Sequence, residues 1–389
     1  MVKKALLVGC NYPGTQAQLN GCGNDVFGFQ NLLIEHFGFL EENINILVDM
    51  DSRFPKPTGR AMKEALAALV SGANDGDVCL FHYSGHGTQM PNKRGGEEDS
   101  LDEAIVPTDM NVLVDDDLKM IVSQCHPGVK FTMIADCCHS GGVLDGTEVV
   151  ISGDKSGVPN LGGILSAAFA KRDFSPEDLE VNNKELPIGM LCSILQQQTG
   201  QTTNPSNIHS VLGSVFGSDA SVMVGRITGL LQQYQASQKP GQGNAGAGKL
   251  VGVLLGLLKM CSSKPQTQEG PLAGGAGPAS GGYAAAGQPM PTSTGVAAAA
   301  DPNRPPDRTV LITGCQSFET SADACPSGDK TKAFGALSNA IQNIVRESPQ
   351  PLTNRALVTA VREYLTKGGF TQNPCLECSH DMADTPFIC

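Results

Sequence analysis

Lys130-Phe131-Thr132-Met133-Ile134-Ala135 leads straight into Asp136-Cys137-Cys138-His139-Ser140-Gly141-Gly142. An almost continuous apolar run of strand length that breaks into polar residues and glycine reads as a strand buried on both faces. Val78-Cys79-Leu80-Phe81-His82-Tyr83 repeats the pattern and breaks into Ser84-Gly85-His86-Gly87. Ala5–Val8 and Ile44–Val48 are two more such runs. Between them, Asn24–Phe37 and Thr58–Val70 carry helical periodicity, the second with Thr58 as its N-cap, and Asp115–Val122 opens another helix. Strands alternating with helices predict an α/β fold with a mostly parallel sheet and helices on both faces.

Beyond residue 152 the character changes. Glu185–Gln198 and Asn207–Phe216 are predicted helical, and Val222–Gln235 and Leu250–Cys261 are amphipathic. From Lys264 to Pro306 glycine, alanine, proline, serine and glutamine dominate, a composition that buries too little apolar surface to offset ordering entropy, so disorder is expected there. Arg308-Thr309-Val310-Leu311-Ile312-Thr313-Gly314-Cys315 then restores a buried strand, followed by helical patterns at Thr331–Arg346 and Asn354–Lys367. The expected organisation is a larger block over 1–152, a linker over 153–306 and a smaller block over 307–389. The smaller block is short for an independent fold, so its strand should extend the first sheet.

The 389 residues carry 27 Lys plus Arg against 39 Asp plus Glu, a net charge of −12. That balance and the lack of tryptophan argue against a nucleic-acid or anionic-membrane binder. No apolar run reaches the length of a membrane span, and no secretory signal is visible. Thirteen scattered cysteines, an odd number, then indicate free thiols in a reducing compartment, with the cytoplasm as the expected location. Cys375-Leu376-Glu377-Cys378 lacks the second pair that a structural zinc site needs.

In open α/β sheets ligands bind beyond the carboxyl ends of the strands. If the strands ending at Ser84 and Asp136 are neighbours, His86 and one cysteine meet there. A thiol beside an imidazole passes its proton to it and becomes a nucleophilic thiolate. The two sites lie about 50 residues apart, the caspase-type spacing of histidine and cysteine. Adjacent residues on a strand face opposite ways, so only one of Cys137 and Cys138 faces His86, and geometry alone leaves open which. Asp136, two residues before Cys138, shares its face and would attract lysine or arginine.

Tyr83-Ser84-Gly85-His86-Gly87 with Asp136-Cys137-Cys138-His139-Ser140-Gly141 resembles the signature of the metacaspases. Gly9-Cys10-Asn11-Tyr12, Asp102-Glu103-Ala104-Ile105-Val106-Pro107 and Gly314-Cys315-Gln316 extend the likeness, and the order large block, long linker, small block resembles type II members of plants and algae. The resemblance implies a caspase-like fold and a cysteine endopeptidase. Its Asp-x-Cys-His-Ser-Gly pattern implies Cys138 as nucleophile, with His86 as general base and the N–H groups of Gly87 and Cys138 as oxyanion hole. It adds Cys22, Asp25 and Ser84 to Asp136 as an acidic pocket for a basic residue of a protein substrate.

The same likeness implies calcium activation, with Asp99, Asp115, Asp116 and Asp145 of loop-borne acidic runs as ligands, and a monomer. It also implies self-processing in the linker. Arg172, Arg226, Lys239, Lys249 and Lys264 are the candidates there, with Arg226 expected to be the inhibitory contact. The rival expectation is a silent caspase-fold scaffold, against which the presence of both His86 and Cys138 argues.

Overall fold

A computed structural model describes residues 1–91, 101–138, 149–151, 165, 167–168, 178–220, 306–316 and 319–388. The patterns at 222–235 and 250–261 and the stretch 264–305 lie outside them. Strand β1 (Lys3–Gly9), helix α1 (Cys22–Phe37), β2 (Ile44–Val48), α2 (Gly59–Ser71) and β3 (Val78–Ser84) form two successive parallel crossovers. Thr58 caps α2 by accepting the Ala61 N–H at 3.2 Å. Short strands β4 (Gly87–Pro91), β5 (Leu101–Ile105) and β6 (Leu113–Val114) make an antiparallel sheet beside the main one. Helix α3 (Asp115–Val122) and β7 (Lys130–Asp136) follow, then β8 (Val149–Ile151) and β9 (Leu179–Asn183).

After helices α4 (Ile188–Thr199) and α5 (Ile208–Phe216) come β10 (Thr309–Thr313), β11 (Ala322–Pro326), β12 (Phe334–Gly335), α6 (Ala336–Glu347), α7 (Asn354–Lys367), β13 (Cys375–Cys378) and α8 (His380–Ala383). The main sheet runs β2-β1-β3-β7-β10-β13-β8. Its first five strands are parallel, and β13 and β8 add antiparallel pairs at the far edge. The expected extension by the C-terminal block is therefore present as β10 beside β7.

Alternation along the strands divides the core. Leu6, Val8, Phe81 and Met133 pack on one face with Leu66 of α2 and Leu118 of α3. Ala5, Leu7, Leu80 and Ile134 pack on the other with Phe29 of α1, Ile341 of α6 and Val361 of α7. Helices thus cover both faces, as a two-sided apolar strand requires.

Three expectations need correction. The helix foreseen from Thr331 starts at Ala336, because Phe334 and Gly335 pair with β11 first. The helix foreseen from Glu185 starts at Ile188, because Glu185 bridges to Gly87 and Pro187 sets the helix entry. The first part of the supposed linker is also interior: Leu186, Leu191, Leu195, Ile208 and Leu212 pack in the same core as Met90, Ile105 and Leu118.

Candidate active site

β3 and β7 are hydrogen-bonded neighbours, with Ser84 opposite Asp136. Their carboxyl ends therefore meet, as expected from the sequence. Beyond Ser84 the chain turns through Gly85 and His86 into β4, bringing Gly87 against the Cys138 backbone. A Cβ on Gly87 would overlap the Cys138 carbonyl oxygen, so the turn has room only for glycine.

His86 is buried, and its Nε2 lies 2.8 Å from the Ala17 carbonyl. A carbonyl can only accept, so Nε2 carries the proton, and Nδ1, which has no hydrogen-bond partner, keeps its lone pair. Burial pulls the imidazole pKa below its ordinary value, against the carbonyls of Ala17 and Lys184.

The two cysteines face different surroundings. Cys137 lies in the apolar cluster with Phe131, Met133 and Tyr83. Cys138 Sγ accepts the Ser321 N–H at 2.9 Å and donates to Asn183 Oδ1 at 3.2 Å. Strand alternation thus turns Cys138 toward the segment that crosses the strand ends.

That segment is residues 179–186. β9 pairs antiparallel with β11, Asn183 opposite Ala322. Lys184 N–H donates to the Ser321 carbonyl at 2.9 Å, Gly87 N–H donates to the Lys184 carbonyl at 2.9 Å, and Leu186 N–H donates to the Gly87 carbonyl at 2.8 Å. The Lys184 side chain is fully buried. Its Nζ lies 3.0 Å from Asp136 Oδ1, 3.1 Å from the Asp136 carbonyl, 2.9 Å from Ser84 Oγ and 3.8 Å from Asp25 Oδ2.

The pocket around this ammonium is built from both ends of the chain. Asp136 also accepts the Ser338 N–H in the first turn of α6 at 2.8 Å and the Ser321 hydroxyl at 3.0 Å. Asp25 accepts the Gly335 N–H at 2.9 Å and the Ser84 hydroxyl at 2.7 Å. Both carboxylates sit at the positive end of α6. Burial pushes the Asp136 carboxyl up, but Lys184 and the Ser338 hydrogen bonds outweigh it, and the net pKa is lowered. Asp25 goes well above the usual carboxylate range through burial, with the charge of Asp136 adding to it. Lys184 is raised, its own burial being overcome by Asp136, Cys22, Asp25 and the buried Asp323. One firm carboxylate and one ammonium form a desolvated pair, worth keeping only because every hydrogen-bonding position around it is filled.

Residues 3–147 match the family model described as metacaspase, peptidase C14 domain. The whole chain is 37% identical to Metacaspase-4 of Arabidopsis thaliana, 36% to Metacaspase-6 and 33% to Metacaspase-7, each over 100% of both chains. The chain belongs to the metacaspase family. It is a cysteine peptidase of the type II subgroup, with the caspase-like sheet, and protein is its substrate class.

In this metacaspase Cys22, Asp25, Ser84 and Asp136 are gathered around one pocket, and Gly87 and Cys138 lie beside the Lys184 peptide. Asp115 and Asp116 are not on a loop: with Asp117 they form the first turn of α3, where negative charge suits the helix dipole. Asp102 and Glu103 of the other acidic run lie in β5. Asp99 and Asp145 lie outside the described residues, and among the described residues no three acidic, histidine or cysteine side chains form a metal cluster. Arg172, Arg226, Lys239, Lys249 and Lys264 also lie outside. The pocket's occupant is Lys184, which was not among the anticipated basic residues. Ser321 and Asp323 were missed too. The available signal was Leu179-Glu180-Val181, a short strand-forming run just before Asn182-Asn183-Lys184. The described cysteines are free thiols, and among the described residues no helix is long and apolar enough to cross a membrane.

Proposed function

We propose that this metacaspase is a calcium-dependent endopeptidase that cuts after lysine or arginine with a Cys138–His86 dyad, and that the intact chain is its own first substrate at the Lys184–Glu185 bond. The observation that carries this is the buried Lys184 ammonium against Asp136, while its carbonyl accepts the Gly87 N–H. An extended segment with a basic side chain in an acidic pocket and its carbonyl on a backbone donor has the posture of a bound substrate.

The chemistry follows from these groups. His86 Nδ1 takes the Cys138 proton, and the thiolate attacks the Lys184 carbonyl carbon. The oxygen gains charge facing the Gly87 N–H, joined by the Cys138 N–H. The imidazolium then protonates the Glu185 nitrogen as the C–N bond breaks, leaving a thioester that water, deprotonated by His86, hydrolyses. Until that cut, Lys184 excludes other basic side chains from the pocket, which makes the uncut chain a zymogen.

Incubation with calcium should give a fragment ending at Lys184 and one beginning at Glu185, identified by mass spectrometry. The Lys184→Ala chain should resist cleavage at that bond, and Cys138→Ala should stay intact. Unchanged cleavage of Lys184→Ala at the same rate would sink the zymogen model.

Asp115 and Asp116 fit a calcium site by chemistry, since carboxylate oxygens are the hard donors this ion takes. Asp99 and Asp145 are the remaining proposed ligands, and the ion would offset the mutual repulsion of the four carboxylates. Calorimetry of the Asp115→Ala/Asp116→Ala chain should lose a calcium-binding heat present in the parent, with self-cleavage falling in parallel. Full activity in excess chelator would contradict the assignment. A monomer in the cytoplasm, a reducing compartment suited to free thiols, completes the proposal.

A further inference from the structure

Gly9-Cys10-Asn11-Tyr12 and the tyrosine that opens Tyr83-Ser84-Gly85-His86-Gly87 have so far had no chemical task. They converge on the main chain of His86, which lies between β3 and β4. The His86 N–H donates to Tyr12 Oη at 2.8 Å, and the Tyr83 hydroxyl donates to the His86 carbonyl at 2.8 Å. Tyr12 Oη passes its own proton to the Val106 carbonyl at 2.5 Å, and Tyr83 Oη accepts the Val106 N–H at 3.2 Å. Tyr83 Oη also lies 2.9 Å from the Val106 carbonyl and 3.2 Å from Tyr12 Oη, and the His86 carbonyl accepts the Val106 N–H at 3.0 Å. The two phenols and Val106 thus form one network around the His86 main chain, in which Tyr12 Oη is the acceptor of the His86 N–H. Both phenols are fully buried, and burial pushes their pKa values up, so both keep the proton they donate.

Two further details show that the backbone is shaped for this arrangement. Tyr12 has φ 51°, a left-handed conformation uncommon for a residue with a side chain. Asp49 holds it there by accepting the N–H groups of Asn11 at 2.9 Å and Tyr12 at 2.8 Å. Strain of this kind persists only where surrounding contacts impose it. On the other side, a Cβ at Gly85 would stand 2.5 Å from Tyr83 Oη and 2.9 Å from Tyr12 Oη, so glycine there makes way for the two hydroxyls. The Tyr12 ring also lies on the imidazole, centroid to centroid 4.9 Å.

We infer that Tyr12 is a positioning residue for His86: with Tyr83 it fixes the histidine's peptide groups, and so the direction of Nδ1, without touching substrate. The inference rests on His86 being the base of the dyad. A phenol needed only for packing would lose nothing as phenylalanine. Here the hydroxyl's removal leaves the buried His86 N–H without an acceptor and lets the imidazole drift, and misplacement by about 1 Å can cost around 10²-fold in rate.

The test uses the full-length Tyr12→Phe and Tyr83→Phe chains with calcium and a short peptide amide ending in arginine. Tyr12→Phe should lower kcat by about 10- to 100-fold and leave KM within about twofold, because the acidic pocket is untouched. Alkylation of Cys138 by iodoacetamide should slow in the same proportion per folded molecule, which loss of stability alone would not produce. An unchanged kcat and alkylation rate in folded Tyr12→Phe overturns the inference. If that chain does not fold, Tyr83→Phe decides by the same two readouts. His86→Ala separates the two levels: activity retained there sinks the dyad itself, whereas a dead His86→Ala beside a fully active Tyr12→Phe sinks only the positioning role.

Discussion

Cys138→Ala is expected to lose peptide hydrolysis and self-cleavage by about 10⁴-fold or more, the scale seen when a nucleophile acting as part of a unit is removed. Cys137→Ala should keep most of the parent's turnover. The two thiols are adjacent in sequence and both buried, so burial does not separate them. Their neighbours do. Cys137 belongs to the apolar core cluster on one face of the sheet, whereas the sulfur of Cys138 meets Asn183 and Ser321 beside the Lys184 peptide. Turnover of a fluorogenic arginine peptide in calcium measures both variants. Equal loss in the two would leave the nucleophile unassigned, and a dead Cys137→Ala beside an active Cys138→Ala would reverse it.

Asp136→Asn should cost the next largest share of activity. Of the two pocket carboxylates, Asp136 stands nearer the Lys184 ammonium, 3.0 Å against 3.8 Å for Asp25, and would meet a substrate cation in the same way. Removing one partner of a desolvated pair costs about 3–5 kcal/mol, or roughly 10²- to 10⁴-fold in kcat/KM for arginine and lysine substrates. Asparagine still offers the Ser338 N–H an acceptor, so the α6 contact should survive. Melting temperature provides the control, and a peptide with a neutral residue at the cleavage position provides the comparison. Efficient cleavage after aspartate by the parent, or undiminished arginine cleavage by Asp136→Asn, would remove the acidic-pocket assignment.

The central sheet was legible because its strands are buried on both faces, and such runs stand out without any partner being known. Helix α3 matched its expected bounds from Asp115 to Val122, where three acids open an amphipathic turn. β9 was not legible for the opposite reason. Glu180, Val181, Asn182 and Asn183 are exposed, and what makes them a strand is main-chain pairing with residues far along the chain. Lys184 was hidden by the same distance. Nothing local distinguishes it from other lysines, since its partners Ser84 and Asp136 come from two strands and the pocket is closed by Gly335. Asp25 shows the intermediate case. Its place in the first turn of α1 suggests a helix-dipole role, and only the resemblance pointed to the pocket it also serves.

β9 is hydrogen-bonded to a single neighbour, β11, at the margin of a three-stranded sheet, and Val181 is 54% exposed. Past Pro187 the same stretch of chain is interior. The two sides of Lys184 are therefore retained by different forces: main-chain bonds that water can replace on one side, buried hydrocarbon on the other. Elements with few buried contacts are those that open first. Peeling β9 away disturbs none of the seven strands of the main sheet, while α4 and α5 hold their ground. Were the chain cut after Lys184 as proposed, β9 would be left as a flap on the amino-terminal fragment, while the fragment beginning at Glu185 would stay anchored by α4 and α5 in the core.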